Sequence, residues 1–311
     1  MQFTFDDHRL RVPRGVSPLG GTPVFHGWRR ILAGLVSFGT SVGITLLVGG
    51  AVWLAQTLGG DAALLWAPAG IIFALMSLFG LRDWPWMALG LVPVALGAHP
   101  LGMVPAGLLI ACQIGGCALA TTMLRRGTDF DPSLPRIREV ITFAGAVLTV
   151  GIVAGGMPAL VTAALHLNSP AVLAPKMGIE IARTMIGVIL FAPPILSLGK
   201  RPARTANRFE TLLLLTALNL VGTAAVFADL PAGYLTMPIV IWSAIRLGQR
   251  ETSFVVAIGA IWVALQCSGF GGGIAETSRE TVIALSYMAL LAMVGFAIGA
   301  TKSRRSVLAS I

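Results

Sequence analysis

Long apolar runs follow one another through most of this 311-residue chain, and short segments between them hold most of the charge. Hydrophobic residues make up 56% of the sequence and charged residues only 11%, with a mean hydropathy of +0.84. A soluble domain carries about 25% charged residues. The sequence therefore predicts an all-α, polytopic membrane protein whose surroundings are membrane lipid.

Ten runs are candidates for transmembrane helices, because a helix needs about 20 residues to cross the hydrocarbon core and fewer where it is locally thin. The candidate spans are residues 30–56, 63–80, 84–98, 101–124, 138–166, 177–198, 210–228, 232–247, 252–268 and 281–301. The third and the eighth are short and could be re-entrant, so eight crossings is the alternative count.

The basic residues predict the orientation of these spans. With ten spans and the N-terminus inside, all but three of the 22 basic residues fall in inside segments, and the exceptions are Lys176, Arg183 and Arg279. Lys and Arg accumulate on the cytoplasmic side of membrane proteins. We therefore expect both ends of the chain in the cytoplasm; eight spans would give the same result. Basic residues confined to short clusters between spans do not suggest nucleic acid binding.

The segment before the first span lacks the apolar core of a signal peptide. We interpret residues 1–29 as a flexible cytoplasmic arm, 30–302 as the transmembrane domain and 303–311 as a cytoplasmic tail.

The stretch Leu65 to Gly90, LWAPAGIIFALMSLFGLRDWPWMALG, is predicted to form two spans joined by a tight turn at Arg82 and Asp83. Tryptophan is favoured at the membrane–water interface, and proline is tolerated in the first turn of a helix. The residues singled out here are Trp66, Pro68, Arg82, Trp84 and Pro85. An ordinary hairpin with interfacial anchors and a specialised site are both compatible with this pattern.

Charged groups inside a span are costly and are candidates for function. Glu180 and Arg183 in the sixth span are three residues apart and share a helix face. They form either an ion pair that neutralises itself or part of a pocket, open to the periplasm, for a polar ligand. Other residues predicted in the same outer half are Trp66, Pro68, Asn219, Asp229 and Tyr234, and Gln113 is placed to hydrogen-bond across the bundle.

Prolines and an interfacial pair mark the inner ends of two spans. Pro193, Pro194 and Pro238 are expected to break or bend their helices, either as static kinks or as hinges that pass a signal inward. Trp242 and Arg246 share one helix face, as an interfacial Trp and a snorkelling Arg do. Arg82, Trp84 and Pro85 are signalling or structural candidates of the same kind.

No Walker loop, zinc signature or nucleophile elbow is present in the sequence, and its cysteines, Cys112, Cys117 and Cys267, have no metal-binding spacing. We therefore expect no enzymatic activity, no cofactor and no metal. Small residues four apart, such as Gly151 and Gly155, suit close packing inside the bundle and, less often, a homodimer contact.

The residue order of the stretch from Trp66 to Gly90 resembles the signature of the first class of membrane-associated sensor domain (MASE, type one). IGVILFAPPIL, Ile186 to Leu196, and MPIVIWSAIRLG, Met237 to Gly248, are similar to two further segments of that family. The resemblance covers about residues 30–302. It implies an integral membrane sensory module of the bacterial inner membrane, usually fused to a cytoplasmic PAS, histidine-kinase or cyclic-di-GMP enzyme domain.

The leading hypothesis is thus a non-catalytic sensor that detects a periplasmic or membrane-borne cue. Only a short tail follows Lys302 in this sequence, so we expect the output through an effector domain that the sequence lacks or through a separate membrane or cytoplasmic partner. A small-molecule transporter and a structural subunit of a larger membrane complex are the alternatives.

Overall fold

The structure is a computed structural model that describes residues 39–53, 65–97, 103–127, 137–166, 170–198, 208–228, 232–247, 249–267 and 278–308. The chain divides into two compact units, Met1–Ser41 and Val42–Ile311. Apart from residues 39–41, everything described below belongs to the second unit.

All regular structure in the described ranges is helical, as the sequence predicted. The α-helices are α1 (Gly39–Trp53), α2 (Ala67–Phe79), α3 (Trp84–Gly97), α4 (Met103–Gly127), α5 (Ile137–Val150), α6 (Met157–His166), α7 (Pro170–Leu198), α8 (Arg208–Phe227), α9 (Ala232–Arg246), α10 (Gln249–Cys267) and α11 (Ser278–Leu308). A 3-10 turn, Leu81–Asp83, joins α2 to α3, and a π-helical turn, Gly151–Gly156, joins α5 to α6.

Each helix overlaps one of the predicted spans, and α5, the π-helical turn and α6 together form the run predicted at residues 138–166. Among the residues that the structure describes, five segments are long and apolar enough to cross a membrane by themselves: Ala106–Arg126, Ile141–Val161, Leu173–Leu198, Phe209–Phe227 and Arg250–Cys267. The multi-pass membrane protein is therefore confirmed.

The exact number of crossings stays a prediction because two helices are short. α3 has 14 residues and α9 has 15. At about 1.5 Å per residue they measure roughly 21–23 Å, against a hydrocarbon core of about 30 Å. Their length suits a crossing in a locally thinned bilayer as well as a re-entrant segment.

Two hydrophobic clusters form the interior, and α7 contributes to both. Val188, Ala192 and Leu196 pack into the first cluster, which surrounds α2. Ile186 and Leu190 pack into the second, with α10 and α11. Within each set the residues are four apart, and the two sets are shifted by two residues along the helix. They therefore occupy different faces of α7. α7 is therefore the shared wall between the two clusters.

The prolines do not end the helices in which they lie. α7 continues through Pro193 and Pro194 to Leu198, and α9 continues through Pro238 to Arg246. Of the two expected outcomes, the break is wrong at all three positions, and the bend stays a prediction. Helices in membranes accommodate proline because neighbouring helices and Ser or Thr side chains satisfy the freed backbone groups.

Candidate functional site

Helices α2 and α7 touch through their backbones at two glycines. A Cβ atom added to Gly70 would collide with the carbonyl oxygen of Gly187, and one added to Gly187 would collide with the carbonyl oxygen of Trp66. Small residues permit this approach in membrane helices. The WAPAG run at the start of α2 and the IGVIL run in the middle of α7 therefore meet at one crossing.

A chain of hydrogen bonds starts from the Trp66 side chain on the other side of α2. The Trp66 indole Nε1 donates to Gln113 Oε1 at 3.0 Å, Gln113 Nε2 donates to Cys117 Sγ at 3.7 Å, and Cys117 Sγ donates to the Ala69 carbonyl at 3.6 Å. Gln113 is 1% exposed and Cys117 is fully buried. Trp66 is thus more than an interfacial anchor: its N–H is satisfied inside the bundle, and Gln113 bonds across helices as predicted.

The end of α2 is closed by an arginine from α4. Arg125 Nη2 donates to the carbonyl oxygens of Met76 and Ser77, at 3.3 and 3.2 Å. Gly80 follows with φ +102°, a backbone conformation that favours glycine, and leads into the 3-10 turn. The predicted tight turn at Arg82 and Asp83 is confirmed.

The remaining candidates of this stretch lie on its surface. Arg82 is exposed, as are Trp84 and Pro85 in the first turn of α3. Further along α3, a Cβ on Gly90 would lie 2.7 Å from the Val48 Cβ of α1, so the last glycine of the stretch also permits a close helix crossing. The stretch therefore uses its glycines for two crossings and one turn.

An ion pair on α7 lies against the π-helical turn. Arg183 Nη1 is 2.9 Å from Glu180 Oε1, and the two side chains are 12% and 35% exposed. A Cβ on Gly155 would lie 2.6 Å from the Glu180 carbonyl oxygen and 2.7 Å from Thr184 Oγ1. The Thr184 hydroxyl donates to the same Glu180 carbonyl at 2.8 Å. The pair thus belongs to a tight contact between α7 and a distorted helix, and π turns recur at functional sites.

A model of the MASE1 family matches residues 34–306, nearly the whole chain. The chain belongs to the MASE1 family. MASE1 is a membrane-associated sensory domain, which makes this protein a transmembrane sensor of a signal-transduction system. No curated protein and no solved structure matched it.

The other predicted site residues of this MASE1 domain are placed apart. Pro68 is buried in the first turn of α2. Asn219 is exposed on α8, where its Nδ2 donates to the Leu215 carbonyl of the same helix at 2.8 Å. Asp229 and the side chain of Tyr234 lie outside the described residues. Among the predicted site residues, Glu180 therefore pairs with Arg183, and Trp66 contacts both α4 and α7. The amide of Asn219 bonds within its own helix.

At the end of α9 the predicted interfacial pair separates into two roles. Trp242 is 57% exposed. Arg246 Nε is 2.8 Å from Glu210 Oε1 of α8, so the guanidinium is held by a carboxylate and does not simply reach for the interface. In the predicted topology Glu210 and Arg246 lie at the inner ends of consecutive spans. These opposite charges at the same membrane side could have predicted the ion pair. In the part of the chain that the structure describes, no group of three or more His, Cys, Asp or Glu side chains could hold a metal ion.

Sequence reasoning missed the π-helical turn, the Gly187 crossing and the Arg125 cap. A weak signal existed for two of them. Gly151, Gly155 and Gly156 cluster inside an apolar span, and glycine is unfavourable in a helix unless packing or a ligand requires it. Arg125 was assigned to the same membrane side as the turn at Arg82, which is where the end of α2 needs donors.

Proposed function

We propose that this MASE1 domain is a non-catalytic sensory module of the bacterial inner membrane, and that Glu180 and Arg183 receive its cue. The observation that carries the proposal is the position of the ion pair. It lies on α7, next to the contact between Gly155 and Glu180, on the helix that also crosses α2 at Gly187. A polar cue that competes for either charge would act directly on the helix at the centre of the bundle.

The same helix offers a route to the end of the chain. Ile186 and Leu190 of α7 share a buried cluster with Met288 and Leu291 of α11. α11 has 31 residues, about 46 Å at 1.5 Å per residue, whereas the hydrocarbon core is about 30 Å thick. A displacement of α7 would therefore reach a helix long enough to carry it out of the bilayer.

Packed helices move between discrete arrangements, because close-packed interiors do not deform continuously. A ligand shifts such an equilibrium only as far as it binds the two arrangements with different affinity. We propose that breaking or remaking the Glu180–Arg183 pair supplies this difference. The output would pass from α11 to a cytoplasmic effector of the histidine-kinase or cyclic-di-GMP type, or to a partner membrane protein, with a homodimer as one possible assembly.

The test is to replace Glu180→Gln and Arg183→Gln singly in the full-length protein in its host. Cellular cyclic-di-GMP and histidine-kinase phosphorylation are then measured with and without the stimulus that changes them in the wild type. We expect at least one variant to lose the response. Glu210→Gln is the matched control. It breaks the ion pair with Arg246, whose N–O distance of 2.8 Å is similar but which lies at the surface of the bundle.

Unchanged signalling in both variants would remove the pair as the sensing site. Flux in proteoliposomes distinguishes the transporter alternative, since a saturable, protein-dependent flux that the same variants abolish would overturn the sensory assignment of this site.

A further inference from the structure

An apolar groove of about 580 Å³ runs along the outside of α4, away from the ion pair on α7. On α4 its lining comprises two isoleucines and four small residues at positions spaced by four or three: Ile110, Ile114, Gly107, Ala111, Gly115 and Ala118. A Cβ added to Gly107 or to Gly115 would meet no atom within 4 Å. The groove is therefore open space that larger residues could have filled.

The groove lies across the middle of the predicted span 101–124, and its Ala118 end is about 12 Å along α4 from Arg126. From Gly107 to Ala118 the helix rises by about 16 Å at 1.5 Å per residue, which is about half of the 30 Å hydrocarbon core. Leu81 and Trp84 lie at the end near Ala118, next to the turn between α2 and α3. A tryptophan at that point suits the level of the lipid headgroups.

Positive charge lies beyond this end of the groove. Arg125 of α4 bonds the carbonyls at the end of α2, which places the C-terminal end of α4 beside the turn that carries Arg82. Arg82 and Arg126 are both exposed. Asp83 is the acidic residue of the turn and is partly buried. An apolar groove that points toward exposed arginines, about two helical turns further along α4, matches an acyl chain with an anionic headgroup.

We propose that this groove binds one acyl chain of an anionic phospholipid from the leaflet on the Arg82 side, with its phosphate between Arg82 and Arg126. The site is separate from the proposed sensing pair, and its test does not depend on signalling. The lipid fills space that the helices leave open and ties the turn to the end of α4.

The test is native mass spectrometry of the purified full chain with phosphatidylglycerol and phosphatidylcholine of identical acyl chains. We expect preferential retention of phosphatidylglycerol, and a loss of that preference by about fivefold for each of Arg82→Gln and Arg126→Gln. Arg304→Gln removes the same charge near the end of α11 and is the control. Gly115→Leu is expected to reduce retention of both lipids, whereas Gly145→Leu, on α5 with equally open space around its Cβ, is the matched control.

Equal retention by Gly115→Leu and Gly145→Leu would overturn the proposal. So would the loss of a dimer mass in Gly115→Leu without loss of lipid, because a second copy would then occupy the groove. If glycerol phosphate displaces phosphatidylglycerol, the arginines bind a free phosphate and not a lipid, and the proposal is wrong. If the variants do not fold, the wild type decides: long-chain phosphatidylglycerol must be retained over the short-chain form, and equal retention would contradict the groove.

Discussion

Single atoms decide the packing at the crossing of α2 and α7. Gly187 faces the carbonyl oxygen of Trp66, so the first methyl group added there meets backbone and not a flexible side chain. Overpacking of this kind forces backbone shifts that typically cost about 1–3 kcal/mol. In this family member, the spacing of α2 and α7 therefore depends on the absence of one side chain.

Gly187→Ala is expected to lower the free energy of unfolding by about 1–3 kcal/mol. Gly178→Ala, on the same helix with open space around its Cβ, should leave it unchanged or raise it by up to about 1 kcal/mol. Thermal unfolding of both purified variants in the same detergent measures the difference. Equal stability of the two would show that the helices can separate at the crossing at no cost.

The bond between Trp66 and Gln113 makes a second prediction for single residues. In a double-mutant cycle with Trp66→Phe and Gln113→Leu, we expect a coupling of about 0.5–1.5 kcal/mol in unfolding free energy, the usual range for interhelical hydrogen bonds in membranes. Trp242→Phe, on the exposed face of α9, replaces Trp66→Phe in the control cycle and should show no coupling to Gln113→Leu. A coupling no larger than the control would mean that the indole N–H finds another acceptor.

At the scale of the helix, the end of α2 depends on a residue far away in sequence. The Met76 carbonyl accepts from the Gly80 N–H at 3.0 Å, and Arg125 donates to this carbonyl and to that of Ser77, one of the last four carbonyls that have no partner within the helix. The turn through Gly80 could therefore be predicted from the sequence, whereas the residue that closes it could not. Helix-end satisfaction is a tertiary property, and neither spacing nor composition identifies the donor.

Arg125→Met keeps much of the aliphatic stem and removes both hydrogen bonds. We expect the last turn of α2 and the 3-10 turn to exchange amide hydrogens faster, with exchange in α11 unchanged as the internal reference. Arg125→Lys should restore part of the protection, because an ammonium group can reach one carbonyl but not bridge two. Equal exchange rates at the end of α2 in the wild type and in both variants would contradict the capping role.

The helices themselves were predictable because hydropathy and length determine where a chain can cross a bilayer. The exact ends of the helices, their distortions and the contacts between them were less predictable. α7 begins at Pro170 rather than near residue 177, since a proline is tolerated in the first turn, and the run through residues 138–166 contains a π turn that no apolar pattern signals. Of the candidate site, the Glu180–Arg183 pairing followed from helical spacing, but its contact with Gly155 required the packed structure.

For the whole molecule, the cytoplasmic position of both ends stays a prediction that labelling can test. In a cysteine-free background, Ser17→Cys and Ser303→Cys are expected to react with a membrane-impermeant thiol reagent only after the cells are opened, because the basic residues around them favour the cytoplasm. Ser169→Cys, in a connection predicted outside, should react in intact cells. Labelling of Ser303→Cys in intact cells would reverse the orientation.

The spacing of the ion pair on α7 has a consequence for how the protein is made. Arg and Asp at the centre of a span each cost about 2.5–3.5 kcal/mol at insertion. Because Glu180 and Arg183 are three residues apart on a single helix, they can pair before any other span is present. The pair then enters the lipid as an electrically neutral unit, and its insertion does not have to wait for a partner helix that is synthesised later.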